Sequence, residues 1–157
     1  LVVHESDLPK GKGWSPLTWQ ILKGANRIPV TLLEAAAKVD SGVIYAQEWI
    51  ELKGDELINE MRDAQAKATF KLCLYFVESY PQILGQASEQ AGEESFYPRR
   101  RREDSELDPT QTIAMQFPLF RVADNHRYPL FFYMHGQRYV LQIDSPHKVS
   151  GEQETKG

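Results

Sequence analysis

Cysteine is almost absent. With Cys73 alone, no intrachain disulfide can form, which suits a reducing compartment and an expected cytoplasmic location. No apolar run reaches the length needed to cross a bilayer, so no spanning helix is expected. The histidines are few and scattered. His126, His135 and His147 share no metal-ligand spacing with another histidine, a cysteine or an acid, so they read as structural or turn residues and no metal is expected. A basic surplus is also missing: 18 Lys and Arg stand against 22 Asp and Glu, for a net charge of −4. That balance argues against an extended nucleic-acid surface. Four consecutive arginines, Arg99 to Arg102, are followed at once by Glu103, Asp104, Glu106 and Asp108, so they read first as a self-neutralised surface turn. The other reading gives one or two of them a substrate phosphate, which suits the guanidinium fork.

What is present suffices for one folded core and a small appendage, since 41% of the 157 residues are hydrophobic. Val2 and Val3 read as the end of a buried strand, and Pro9, Gly11 and Gly13 then force an irregular loop. His4 therefore sits where a strand gives way to a loop, the place where open α/β sheets bind ligands. From Trp14 to Gly24 the spacing is helical, with Ser15 as N-cap, Pro16 in the first turn and Gly24 closing the helix. Ile28 to Leu33 and Val43 to Ile50 read as strands joined through the turn Val39-Asp40-Ser41-Gly42. Asp55 to Tyr80 should be the longest helix, capped by Asp55, stopped by Pro81, and facing the core through Met61, Ala68, Leu72 and Phe76. Cys73 lies in this run and is expected to be a buried structural thiol. Gly85 to Ser95 is polar and reads as a solvated connection. Asp108 to Ala123 is helical around Pro118, and Tyr128 to Met134 with Gln137 to Ile143 flank His135-Gly136 as a β-hairpin.

The ordered motifs His4-Glu5-Ser6-Asp7-Leu8-Pro9, Ser15-Pro16, Pro29-Val30-Thr31-Leu32 and Asp40-Ser41-Gly42 resemble the catalytic domain of the folate-dependent formyltransferases. That group includes methionyl-tRNA formyltransferase and the amino-sugar formyltransferases of bacterial surface polysaccharides. The loop wording looks more like the sugar-modifying branch, and Tyr128 to Phe132 resembles the family's strand after the catalytic domain. Two positions depart from the pattern: Val2 stands where the family has an asparagine, and Val43 where an acid often follows the Asp-x-Gly turn.

The resemblance implies an α/β fold: the second half of a Rossmann-like formyltransferase domain followed by a small helix and β-hairpin appendage. As half of a parallel sheet, it would expose strand edges. The expected parts are residues 1–84 as the C-terminal half of the catalytic domain, 85–112 as a connecting segment, 113–143 as the appendage and 144–157 as a disordered tail. The chain is thus expected to lack an upstream half. The implied reaction is formyl transfer from 10-formyltetrahydrofolate, as co-substrate, to a primary amine. His4 and Asp40 would be catalytic, Ser6, Asp7, Leu8 and Pro9 would contact the folate, and no metal would take part. An amine attacking a formyl group needs a donor for the developing oxyanion and an acceptor for its own proton, roles open to an imidazole beside a carboxylate. The acceptor expected first is a nucleotide-linked amino sugar, a small-molecule substrate, with neither nucleic acid nor membrane as partner. Methionyl-tRNA is the second acceptor, and a catalytically silent folate- or sugar-binding relative is the third reading, favoured by Val2. The aromatic hairpin is a candidate contact in a homodimer.

Overall fold

The computed structural model describes residues 1–144, so the tail expected at 144–157 lies, apart from Asp144, outside the described residues. The elements run β1 (Val2–His4), β2 (Lys12–Gly13), α1 (Pro16–Leu22), β3 (Arg27–Leu33), β4 (Ile44–Glu51), α2 (Ile58–Glu78), β5 (Phe96–Tyr97), α3 (Ile113–Arg121), β6 (Leu130–Met134) and β7 (Gln137–Leu141). The class is mixed α/β, as expected. Within the described residues, however, the three-stranded sheet β1-β3-β4 is antiparallel at both pairings, not half of a parallel sheet. For β3 and β4 the cause is local: the segment 34–43 between them is too short for the crossover that a parallel pair requires, so the chain turns straight back.

Side chains alternate across β3 and divide the sheet into two faces. Ile28, Val30 and Leu32 join Ile50, Leu17, Ile21, Met61, Ala68 and Leu72 in the main core, with Val3 packed against them. The opposite face carries Thr31, paired with His4, and Leu33, paired with Val2. β1 therefore points Val3 into the core, and Val2 and His4 together away from it.

Two helix starts differ from expectation. Ser15 sits in the left-handed region at φ 50° and makes no side-chain cap, so α1 starts on Pro16 alone. The long helix starts later than Asp55 because Glu56 turns back to accept from the amides of Lys53 and Gly54. Leu57 becomes the cap position, and the Glu60 carboxylate accepts its N–H at 3.0 Å. Along α2 the predicted inward positions hold: Met61, Ala68 and Leu72 are buried, and Phe76 meets Tyr45 edge-on at 5.1 Å. Cys73 is only half-buried. After Pro81 the polar segment is not merely a solvated connection. Ser88 exchanges backbone bonds with Ile44, and Ser95 bonds the loop before α1.

Helix α3 is shorter than the sequence pattern suggests, because Asp108 folds the preceding residues into a turn by accepting from Thr110 and Thr112 then caps at Met115. The hairpin β6-β7 turns through His135 and Gly136, both left-handed, which is the geometry of a tight primed turn. Leu107, Ala123 and Leu130 form its own small core. Two polar links tie this part to the first. Buried Arg121 donates to Asn26 at 2.7 Å and pairs with Glu56, while Asp124 accepts from Arg62 at 2.7 Å.

Asp124 makes the second link sensitive to pH. Burial opposes its ionisation, but bonds from the Arg127 amide, Arg62 and the His126 amide outweigh it and lower its pKa to about 2. A lowered carboxylate pKa contributes stability that is complete above the unfolded value and disappears as pH falls through the folded one. Asp124→Asn is therefore expected to cost on the order of 1–2 kcal/mol at neutral pH. Thermal melts of wild type and variant should converge as pH falls from about 4 to about 2; a constant difference across that window would count against this account.

Candidate active site

The site is built where β1 ends. His4, 6% exposed, is fixed in two directions. Its Nε2–H donates to the Gly11 carbonyl at 2.8 Å, which leaves Nδ1 as the nitrogen free for proton exchange. Nδ1 lies 3.7 Å from Asp40 Oδ2, and that oxygen also accepts the Gly13 N–H at 2.9 Å. Residues far apart in the chain thus form one buried pair, oriented from both ends by backbone of the same glycine-containing loop.

Glycine is required at the loop's closest approach. Gly11 lies at φ 71°, and a Cβ there would fall 2.6 Å from the Tyr97 ring. β2 pairs in parallel with β5, so Tyr97 packs directly under the loop. Asp40 itself is left-handed at φ 50°, a conformation aspartate tolerates better than most residues. Its turn is clamped by Gln90, whose amide donates to the carbonyls of Asp40 and Gly42 at 2.8 and 2.9 Å.

The four residues expected to contact folate divide. Asp7, Leu8 and Pro9 line an open cleft of about 410 Å³ together with Lys10, Ala91, Gly92 and Glu93. Ser6 does not reach it: Ser6 is buried, its carbonyl accepts from Thr31 at 2.7 Å, and its hydroxyl has no partner among the described residues. Gln47 bridges the cleft and the sheet by donating to Asp7 and Thr31, both at 3.1 Å.

Gln47, Gln90, Ser95 and buried Lys12 were not singled out in the sequence, where nothing sets them apart from ordinary polar residues. Lys12 is buried and lies 3.2 Å from Glu94, whose pKa is lowered by bonds from Lys38 and Lys12.

No family model matches the chain. Methionyl-tRNA formyltransferase of Lactobacillus johnsonii is 26% identical over 148 residues, 92% of this chain and 46% of its own length. Such relatives support a likeness to the folate-dependent formyltransferase family. It spans less than half the length of the curated formyltransferases it matches, which include that of Mycoplasma capricolum at 38%. Two solved structures share the fold of this chain. A sugar N-formyltransferase from Shewanella is 12% identical with a TM-score of 0.68, over 92% of this chain and 60% of that one. HypX of Aquifex aeolicus, solved in complex with tetrahydrofolic acid, is 18% identical with a TM-score of 0.72, over 87% of this chain and 24% of that one.

Proposed function

We propose that the protein transfers a formyl group from 10-formyltetrahydrofolate to a primary amine carried by a nucleotide-linked amino sugar. The observation that carries the reading is the buried His4–Asp40 pair, with Nδ1 3.7 Å from Oδ2, near a loop that opens a cleft at Asp7, Leu8 and Pro9. The amine attacks the formyl carbon, and the carbonyl oxygen becomes an oxyanion. His4 Nδ1 takes the proton released by the amine, and Asp40 stabilises the resulting imidazolium. Collapse of the tetrahedral intermediate breaks the bond to N10 of the folate, and the proton follows the leaving nitrogen. The folate would lie along Asp7, Leu8 and Pro9, with Asp7 steadied by Gln47.

The sugar acceptor is favoured over methionyl-tRNA by the net charge of −4 and by the loop wording. One observation favours a silent relative: Val2 shares His4's face of β1, so the position where the family pattern has an asparagine offers no donor here. The first test is a titration with 5-formyltetrahydrofolate, following Trp14 and Trp19 fluorescence, with near-UV circular dichroism to monitor the fold. Saturable binding is expected, weakened about tenfold by Pro9→Ala, roughly 1.4 kcal/mol. A folded chain that does not bind would show that Asp7, Leu8 and Pro9 do not form a folate site on their own.

A further inference from the structure

The four consecutive arginines are not neutralised by the acids that follow them. Among the described residues, ion pairs engage Arg27, Arg62 and Arg121, and none engages Arg99, Arg100, Arg101, Arg102 or Arg127. Asp104, Asp108 and Asp124 are committed elsewhere, and Glu103 and Glu106 form no ion pair with an arginine among the described residues. Asp104 accepts the backbone N–H of Arg101, Asp108 holds the Thr110 turn, and Asp124 is taken by Arg62 and by the amides of His126 and Arg127.

Arg100 is the anchor of the group. It is 5% exposed, donates to the Val122 carbonyl at 2.9 Å and to Ser105 Oγ at 3.0 Å, and lies over the Tyr128 ring at 4.9 Å. Its Nε is buried with no partner among the described residues. Burial opposes its charge, which Asp104 and Asp124 offset only from a distance and without an ion pair, and clustered like charges raise the cost. The cluster surrounds an open cleft of about 380 Å³, lined by Arg99 to Arg102, Arg127 and Tyr128. That volume is within the range of small-ligand sites.

We propose that this cleft binds the diphosphate group of a small-molecule ligand, with Arg100 as the fixed buried cation and exposed Arg101 and Arg127 closing on the oxygens. A multiply charged oxyanion supplies the direct ion-pair partner these arginines lack among the described residues, and planar guanidinium forks match its paired oxygens. The inference does not depend on formyl transfer.

The test is calorimetric titration of the full chain with inorganic pyrophosphate and, separately, with uridine diphosphate. Arg101→Ala combined with Arg127→Ala is expected to raise the Kd of both about tenfold or more, as loss of charge-assisted bonds predicts. Arg100 is left in place so that the fold survives, and Arg27→Ala, outside the cleft, should change neither Kd. Tighter binding of uridine diphosphate than of pyrophosphate assigns the group to a nucleotide, and the reverse order to a free anion; either supports the site. The proposal is overturned if the folded chain shows no saturable binding, if the double variant binds as wild type does, or if a short RNA oligonucleotide competes more strongly than both.

Discussion

Asp40→Asn and His4→Ala are each expected to lower kcat for formyl transfer by about 10²–10⁴-fold, the range associated with a positioned acid–base group. Asparagine at position 40 can still accept the Gly13 N–H through its side-chain oxygen, so the turn should persist while the charge facing Nδ1 is removed. The measurement is release of tetrahydrofolate from 10-formyltetrahydrofolate across a panel of nucleotide-linked amino sugars, with 5-formyltetrahydrofolate affinity as a parallel reading. The expected split is a collapsed kcat with folate affinity nearly unchanged. If affinity falls with rate in Asp40→Asn, the residue shapes the folate cleft instead of assisting proton transfer. A wild-type chain that binds folate yet transfers to no acceptor would favour the silent reading and return attention to Val2.

Gly42→Ala should produce the largest structural effect of any small substitution in the site. A Cβ at position 42 would lie 2.0 Å from the Glu34 carbonyl oxygen and 2.7 Å from its carbon. Both are backbone atoms, so no rotamer change relieves the clash, and either the end of β3 or the Asp40 turn must move. The expected cost is roughly 1–3 kcal/mol in urea unfolding, in the range of overpacked sites. Activity should fall further than stability, because the displaced turn carries Asp40 and the carbonyl that Gln90 clamps. Gly85→Ala is the matched control, since a Cβ there meets nothing within 4 Å. Equal stability of the two variants would show that the turn adapts without cost.

Several features of the fold were legible because they depend on near neighbours in the chain. Alternation placed β3, helical spacing placed the inward face of α2, and His135-Gly136 placed the hairpin turn. The same local patterns misled where a distant group competed. Asp55 resembles a cap, but Glu56 turns back on Lys53 and Gly54 and shifts the helix start. Phe70, Leu74 and Val77 are apolar yet exposed on the outer side of α2, because the sheet can cover only one side of a helix. Arg99 to Arg102 read as balanced by the following acids, but no ion pair forms with them among the described residues, and Asp104 and Asp108 are claimed by a backbone amide and a local turn.

For the candidate site, the sequence by itself determined the chemistry available: a histidine at a strand end, a glycine-rich loop, and an aspartate in a small-residue turn. Only the tertiary structure decided which His4 nitrogen is free, because the Gly11 carbonyl that occupies Nε2 is brought round by the loop. Only it brought Asp40 within 3.7 Å of the other nitrogen, turned Ser6 inward, and recruited Gln47 and Gln90 as supports. The physical reason is range: strand and helix preferences act over a few residues, whereas each of these contacts is a three-dimensional coincidence fixed by packing between segments distant in the chain.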